Sequence, residues 1–398
     1  MKEVVIMSAK RTPIGKFGGQ LASLTAVDLG TIAAKAAIQA AGIEADQIDQ
    51  AIFGNVLQAG SGQNVARQIA LNSGLAQTSV AMTVNEVCGS GLKAIRLAQS
   101  AIVMGDADVV LVGGTESMSQ APYLNNGMRF GSKFGDQTVV DSISSEGLND
   151  AFTNKPMGIT AENVAAKYGI TRLMQDTFAL ESHQKAAQAT QAGWFDAEIV
   201  PVTVKQRRAT FEVSQDEGIR PDTTLEAMGK LRPAFQADGT VTAANASGIN
   251  DGASAMIVMS KEKAEALGLV YQATLVGYQE VGMDPNYMGY TPVPAIQQLL
   301  AKQDQTVADI DLFEINEAFA ASSVAVQNGL ALDTAKVNVA GGAIALGHPI
   351  GASGTRIMTT LLHQLKRTNQ TTGVASLCIG GGLGIAYEIQ LNEAWLND

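Results

Sequence analysis

Asp108-Val109-Val110-Leu111-Val112-Gly113-Gly114 reads as a strand buried along its length and stopped by paired glycines. The chain repeats the pattern as Thr372-Gly373-Val374-Ala375-Ser376-Leu377-Cys378-Ile379-Gly380-Gly381. A continuous apolar run bounded by turn residues suits a sheet covered on both faces. Other features repeat with it. Ile48-Asp49-Gln50-Ala51-Ile52-Phe53 is echoed by Ile310-Asp311-Leu312-Phe313-Glu314-Ile315, each after a helical stretch. Asn338-Val339-Ala340-Gly341-Gly342 precedes a turn at His348 much as Asn85-Glu86-Val87 precedes a turn at Cys88. This is an imperfect internal duplication. It predicts an α/β fold of two similar halves packed together, each with a mostly parallel sheet.

Helical spacing predicts helices over 26–41 and 91–104. Between residues 117 and 238 the texture changes to loops, two short helices (161–167 and 173–192) and a charged stretch, read as an inserted layer. From residue 273 the first pattern returns.

At 398 residues, two or three domains are expected. The chain is 46% apolar, 16% charged and 5% aromatic, with 41 glycines, which suits a packed α/β protein. A formal charge of −11 argues against nucleic acid or an anionic membrane as partner. No apolar run approaches the ~20 residues of a membrane span. Met1-Lys2-Glu3-Val4-Val5-Ile6 reads as a strand rather than a signal peptide, and with only two cysteines a cytoplasmic, reducing setting is expected. Asn245-Ala246-Ser247 and Asn369-Gln370-Thr371 match the glycosylation pattern, which carries no weight without export.

The candidate chemistry lies in the glycine-rich turns. Cys88 is followed by Gly89-Ser90-Gly91 and a helix, and a helix N-terminus lowers a thiol pKa and makes a nucleophile. Taken alone, a free cysteine is as readily a small buried hydrophobe. His348 sits in Gly347-His348-Pro349-Ile350-Gly351-Ala352-Ser353-Gly354, where proline and glycines fix the backbone of a ring that must be aimed. The duplication places the Cys88 and His348 turns at equivalent points, so both should reach one pocket between the halves. His183 and His363 are expected on solvated helix faces. Cys378 ends a strand before the glycine run, whose amides could serve an oxyanion. That run lacks the spacing of a dinucleotide loop, and the chain lacks the paired cysteines of a zinc site, so no metal is expected. A Cys88–Cys378 disulfide would need an oxidising compartment. Asn316, in Asn316-Glu317-Ala318-Phe319, could bring an amide to the cleft, or simply cap a helix. Lys205, Arg207, Arg208, Arg220, Lys230 and Arg232 form a basic run suited to a phosphate-bearing substrate, blunted by Glu212, Asp216 and Glu217.

Together these motifs resemble the thiolase family. Asn85-Glu86-Val87-Cys88-Gly89-Ser90-Gly91, Asn316-Glu317-Ala318-Phe319, Gly347-His348-Pro349 and Cys378-Ile379-Gly380-Gly381-Gly382 carry the resemblance. Arg11-Thr12-Pro13-Ile14-Gly15 and Asn245-Ala246-Ser247-Gly248-Ile249-Asn250-Asp251-Gly252 extend it over the whole chain. The resemblance implies two duplicated βαβαβαββ halves in a layered αβαβα core. It assigns residues 1–116 with 239–270 to the N-terminal half, 117–238 to an inserted loop domain and 271–398 to the C-terminal half. It also implies acetyl transfer between coenzyme A thioesters, with acetyl-CoA and acetoacetyl-CoA as partners, no separate cofactor, and a homotetramer. Cys88 is then the nucleophile, His348 its activator and Cys378 the base. Asn316 holds a water that completes one oxyanion hole with His348, and the amides of Cys88 and Gly380 form the other. Leu148, Met157, Arg220, Phe235, Ala243, Ser247, Met288, Ala318 and Phe319 line the substrate pocket. Pro156 departs from the histidine that many acetoacetyl-CoA thiolases carry, and proline also occurs there in longer-chain members. Met288 matches the short-chain group. Alternatives are a broad-range degradative 3-ketoacyl-CoA thiolase, a ketosynthase (which typically has histidine where Cys378 stands), and an inactive lipid-binding or scaffold protein on the same fold.

Overall fold

The structure, a computed structural model, describes residues 2–206 and 209–397. Five strands make the main path through the first half of its main sheet: β1 (Val4–Arg11), β2 (Gln50–Gly54), β3 (Val80–Val84), β4 (Val109–Ser117) and β5 (Asn250–Ser260). They lie side by side in the order β3-β2-β4-β5-β1, and the two-residue strand Gly15–Lys16 pairs with β5 beside this path. Three helices alternate with them: α1 (Ala26–Ala41), α2 (Val65–Asn72) and α3 (Ser90–Met104). Helix α1 starts on a capping box between Thr25 and Asp28 and stops at left-handed Gly42.

The segment between β4 and β5 carries helices α4 (Met157–Tyr168) and α5 (Arg172–Gln191), a short hairpin of Tyr123–Leu124 with Val140–Asp141, and a second of Val202–Gln206 with Ala209–Val213. Helix α5 falls within a residue of the predicted 173–192 at each end, whereas α4 begins four residues before the predicted 161.

The second half repeats the first. Its elements are β6 (Ala273–Gly282), α6 (Pro292–Lys302), β7 (Leu312–Ile315), α7 (Ala320–Leu330), α8 (Ser353–Thr368), β8 (Thr372–Ile379) and β9 (Leu383–Leu391). The strand order β7-β8-β9-β6 matches β2-β4-β5-β1, and a single parallel bridge from Val337 to Phe313 stands where β3 pairs with β2. The two halves meet at their equivalent first strands, with Val5 opposite Thr274 and Ile6 opposite Ala273.

The expectation of a mostly parallel sheet is corrected. Parallel pairing is confined to β3-β2-β4 and β7-β8, and the other pairs of the main path are antiparallel. The apolar runs have another cause. Helices α1 and α2 cover one face of the first sheet, α3 and α8 fill the middle, and α6 and α7 cover the far face of the second. Strands buried on both faces lose their alternation whatever their direction. The short connection from β8 to β9 leaves no length for a crossover, so that pair must run antiparallel.

The middle layer sets the site. A Cβ on Gly91 of α3 would lie 2.4 Å from the Thr355 nitrogen and 3.0 Å from Gly354 Cα of α8, and one on Gly354 would lie 2.3 Å from the Leu92 nitrogen. Only glycine at both positions lets the two helix N-termini touch backbone to backbone.

Candidate active site

Cys88 precedes α3, whose first residue is Ser90, and His348 lies in the turn before α8. The Gly91–Gly354 contact brings these two turns together. Asn316 follows β7, Cys378 is the penultimate residue of β8, and Gly380 begins the turn to β9. Cys88, Asn316 and Cys378 therefore stand at the carboxyl ends of parallel-paired strands, where open α/β sheets place ligands.

The Cys88 turn is held tightly. Val87 has φ +47°, an outlier for a β-branched residue. Its N–H donates to Asn85 Oδ1 at 3.0 Å, and Ser90 Oγ accepts from the Glu86 N–H at 2.8 Å while donating to the Val87 carbonyl at 2.6 Å. The amides of Gly380 and of Cys88 itself are directed at the sulfur.

Cys88 and His348 share a cavity of about 340 Å³ with Leu148, Met157, Phe235, Ser247, Met288, Ala318, Phe319 and Gly380. Phe235 and Phe319 meet edge to face at 6.2 Å, and Gly158 leaves room for the Phe235 ring, which a Cβ there would approach to 2.2 Å. Ser247 donates through both N–H and Oγ to the Ala318 carbonyl at 3.0 Å. Arg220 and Ala243 are not part of this lining. They border a smaller cleft of about 100 Å³ that shares Ala246, Gly248 and Ile249 with it. Cys378 and Asn316 lie just outside the lining, Cys378 packed among Met288 and Ala318, and Asn316 within 3.5 Å of both His348 ring nitrogens. Asn316 Oδ1 is buried with no partner among the described residues.

Electrostatics correct one expectation. Cys88 sits just before a helix as anticipated, yet burial pushes its thiol up to about 11, outweighing the two amides, and the nearby Glu116 carboxylate adds to the rise. Burial, with a contribution from Cys88, pushes Cys378 up to about 12. The same burial, with Arg356 nearby, lowers His348 to about 3, so its ring is neutral at pH 7. Both thiols are free.

Two further histidine expectations fail. His183 is buried on α5, where Nδ1 accepts the Arg220 N–H at 3.2 Å, and burial lowers it to about 4. His363 is buried on α8 with Nε2 at 3.1 Å from the Ala9 carbonyl. The basic run does not gather at the cavity. Lys230 pairs with Glu226 on the surface, Lys205 and Arg232 are exposed, and Arg207 and Arg208 lie outside the described residues.

Sequence reasoning missed Glu116. Buried on β4, its carboxylate accepts N–H bonds from Asn55, Val56, Leu57 and Gly351 at 2.8–3.1 Å, tying the His348 loop to the first half. A carboxylate in a strand offers no spacing signal for such a role. Met118, Ser144, Gly147 and Ile350, also part of the cavity lining, were missed because they come from separate turns with no common spacing. Among the described residues, no group of three or more His, Cys, Asp or Glu could hold a metal ion, and no helix is long and apolar enough to cross a membrane.

A half-buried thiol and a neutral imidazole on one apolar cavity, with a second, buried thiol just outside its lining, set between duplicated layered halves, define an acyl-transferring enzyme of the thiolase type. The chain belongs to the thiolase family: the thiolase N-terminal domain model matches residues 4–262 and the C-terminal domain model residues 269–391. It is 53% identical to the acetyl-CoA acetyltransferase of Cupriavidus necator, over 98% of this chain and 100% of that one. It is 54% identical to a probable acetyl-CoA acyltransferase of Staphylococcus aureus, over 97% and 98%. Among solved structures it resembles the Bacillus anthracis acetyl-CoA acetyltransferase (TM-score 0.97, 44% identity) and human mitochondrial 3-ketoacyl-CoA thiolase (TM-score 0.96, 46% identity). Each comparison covers 98% of this chain and 99% of the other.

Proposed function

We propose that this enzyme joins two acetyl-CoA molecules to give acetoacetyl-CoA and coenzyme A, reversibly, through an acetyl thioester on Cys88. The observation that carries the reading is the convergence of Cys88, His348 and Cys378, from distant parts of the chain, around one apolar cavity. Cys88 attacks the thioester carbonyl as its proton passes to His348, and the departing coenzyme A thiolate takes the Cys378 proton. The Cys378 thiolate then removes a methyl proton from the second acetyl-CoA. The resulting carbanion attacks the acetyl group, and the expelled Cys88 thiolate recovers the proton from His348. The amides at Cys88 and Gly380 and the Asn316–His348 pair suit the oxyanions of these steps. No group beyond the protein and the thioesters is required. Leu148, Met157, Phe235, Ser247, Met288, Ala318 and Phe319 are assigned to the acyl and pantetheine portions, and Arg220 and Ala243, in the adjoining cleft, to the nucleotide end.

The same reading divides the chain at 116/117, 238/239 and 270/271. It also places the protein in the cytoplasm as a homotetramer, with the loop 121–134 as an assembly contact. Phe130 and Phe134 in that loop are almost wholly exposed.

Mass spectrometry after acetyl-CoA tests the assignment. Wild type should gain one acetyl group on Cys88, Cys88→Ser none, and Cys378→Ala should acetylate, the departing coenzyme A thiolate then taking its proton from water, yet fail to condense. A thioester formed elsewhere, or loss of both steps in Cys378→Ala, refutes it. One observation favours a second reading, a 3-ketoacyl-CoA thiolase of wider range: Pro156 at the cavity offers no side-chain donor. Faster thiolysis of 3-ketohexadecanoyl-CoA than of acetoacetyl-CoA would select it.

A further inference from the structure

A catalytic imidazole is commonly oriented by a carboxylate on its second nitrogen. Here it is not. His348 Nδ1 lies 2.5 Å from Ser353 Oγ, in the first turn of α8. The Ser353 hydroxyl is itself 3.0 Å from the Pro349 carbonyl, which can only accept, so the hydroxyl proton is committed there. Its oxygen is left to accept from the ring, which places the ring proton on Nδ1 and leaves Nε2 an acceptor, with only the Asn316 Nδ2 donor 3.5 Å away. The charged group that acts on the ring is the Arg356 guanidinium, held 2.7 Å from Glu314. The surroundings are built to hold the serine still. Ser353 is buried, the Ala352 N–H also donates to the Pro349 carbonyl at 2.9 Å, and Gly351 N–H is fixed by Glu116 at 2.8 Å. The His348 backbone N–H donates to Asn250 Oδ1 at 2.9 Å.

We propose that Ser353 is a positioning residue for acyl transfer, its hydroxyl holding the His348 ring in the tautomer whose Nε2 is free to take the Cys88 proton. The inference rests on the thiolase reading for its chemistry, though the tautomer itself does not. A hydroxyl orients without adding charge, so the resting site is a neutral thiol beside a neutral ring. The low ring pKa agrees with this.

The test uses the full-length protein. Nitrogen-15 NMR of histidine-labelled wild type should show the His348 proton on Nδ1, and a proton on Nε2 overturns the proposal without any activity assay. Ser353→Ala should lower kcat about tenfold or more, with KM for acetyl-CoA changed less than about twofold, and Ser353→Thr should restore most of the loss. Ser353→Ala with wild-type kcat, or an equal loss in Ser353→Thr, overturns it. Acetylation of Cys88 in wild type, followed separately, tells failure of this inference from failure of the thiolase assignment.

Discussion

At the residue scale, the thiol proposed as nucleophile is held protonated in the free protein. Cys88 lies beside amides that favour a thiolate, but its burial costs the charged form more. With the thiol pushed up to about 11, alkylation by iodoacetamide in the absence of substrate should quicken about tenfold per pH unit from pH 7 to 10. A plateau reached below pH 8 would mean a preformed thiolate and would contradict this. The motif residues around Cys88, His348, Asn316 and Cys378 were readable because glycine, proline and the scarce cysteines and histidines leave few other roles. Ser353 and Glu116 were not readable as participants. Their parts depend on partners 5 and 235 residues away, and serine and glutamate are common everywhere.

At the element scale, the touching N-termini of α3 and α8 do what neither helix could do alone. Gly354→Ala would drive a Cβ to 2.3 Å from the Leu92 nitrogen, a backbone atom that cannot swing aside. The expected cost is about 1–3 kcal/mol of stability, with acetylation of Cys88 lost beyond that because the two turns part. Urea unfolding and acetyl incorporation measure the two effects, and a variant normal in both would show the contact to be incidental. Helix α5 was placed within a residue at each end, yet its buried face was misjudged. Its buried face is polar: Asp176 binds Arg172 and Asn245, Ser182 binds Glu317, and Gln175 binds Thr240. A satisfied polar face looks solvated in sequence, which is why His183 was misplaced. Helices α1 and α3, with apolar buried faces, were legible almost to the residue.

At the scale of the whole molecule, all three histidines are buried and held below their ordinary range. A ring harder to protonate in the folded chain contributes stability that is present above pH 6.5 and lost as pH falls toward its folded value. For His183, lowered to about 4, the loss at pH 5 is about 2 kcal/mol. Glu116 and Glu314, raised to about 7, act oppositely, gaining stability as pH falls. The comparison must therefore be between proteins: His183→Gln should lose about 2 kcal/mol less than wild type between pH 8 and 5, read by urea unfolding at each pH. Equal losses would place His183 in contact with water. The duplication was visible in the repeated strand pattern and its consequences for topology followed, but strand direction did not, since burial on both faces erases the signal that separates parallel from antiparallel.

The two related turns carry unlike chemistry, a sulfur in one and an imidazole in the other. A pair of identical halves related by a true dyad would be bound to offer two sulfurs or two rings, since symmetry forbids one of each. Covalent linkage of the halves into a single polypeptide lifts that restriction, because each copy is then free to diverge. The unlike pair at the Gly91–Gly354 crossing is available to this protein because its two halves are one chain.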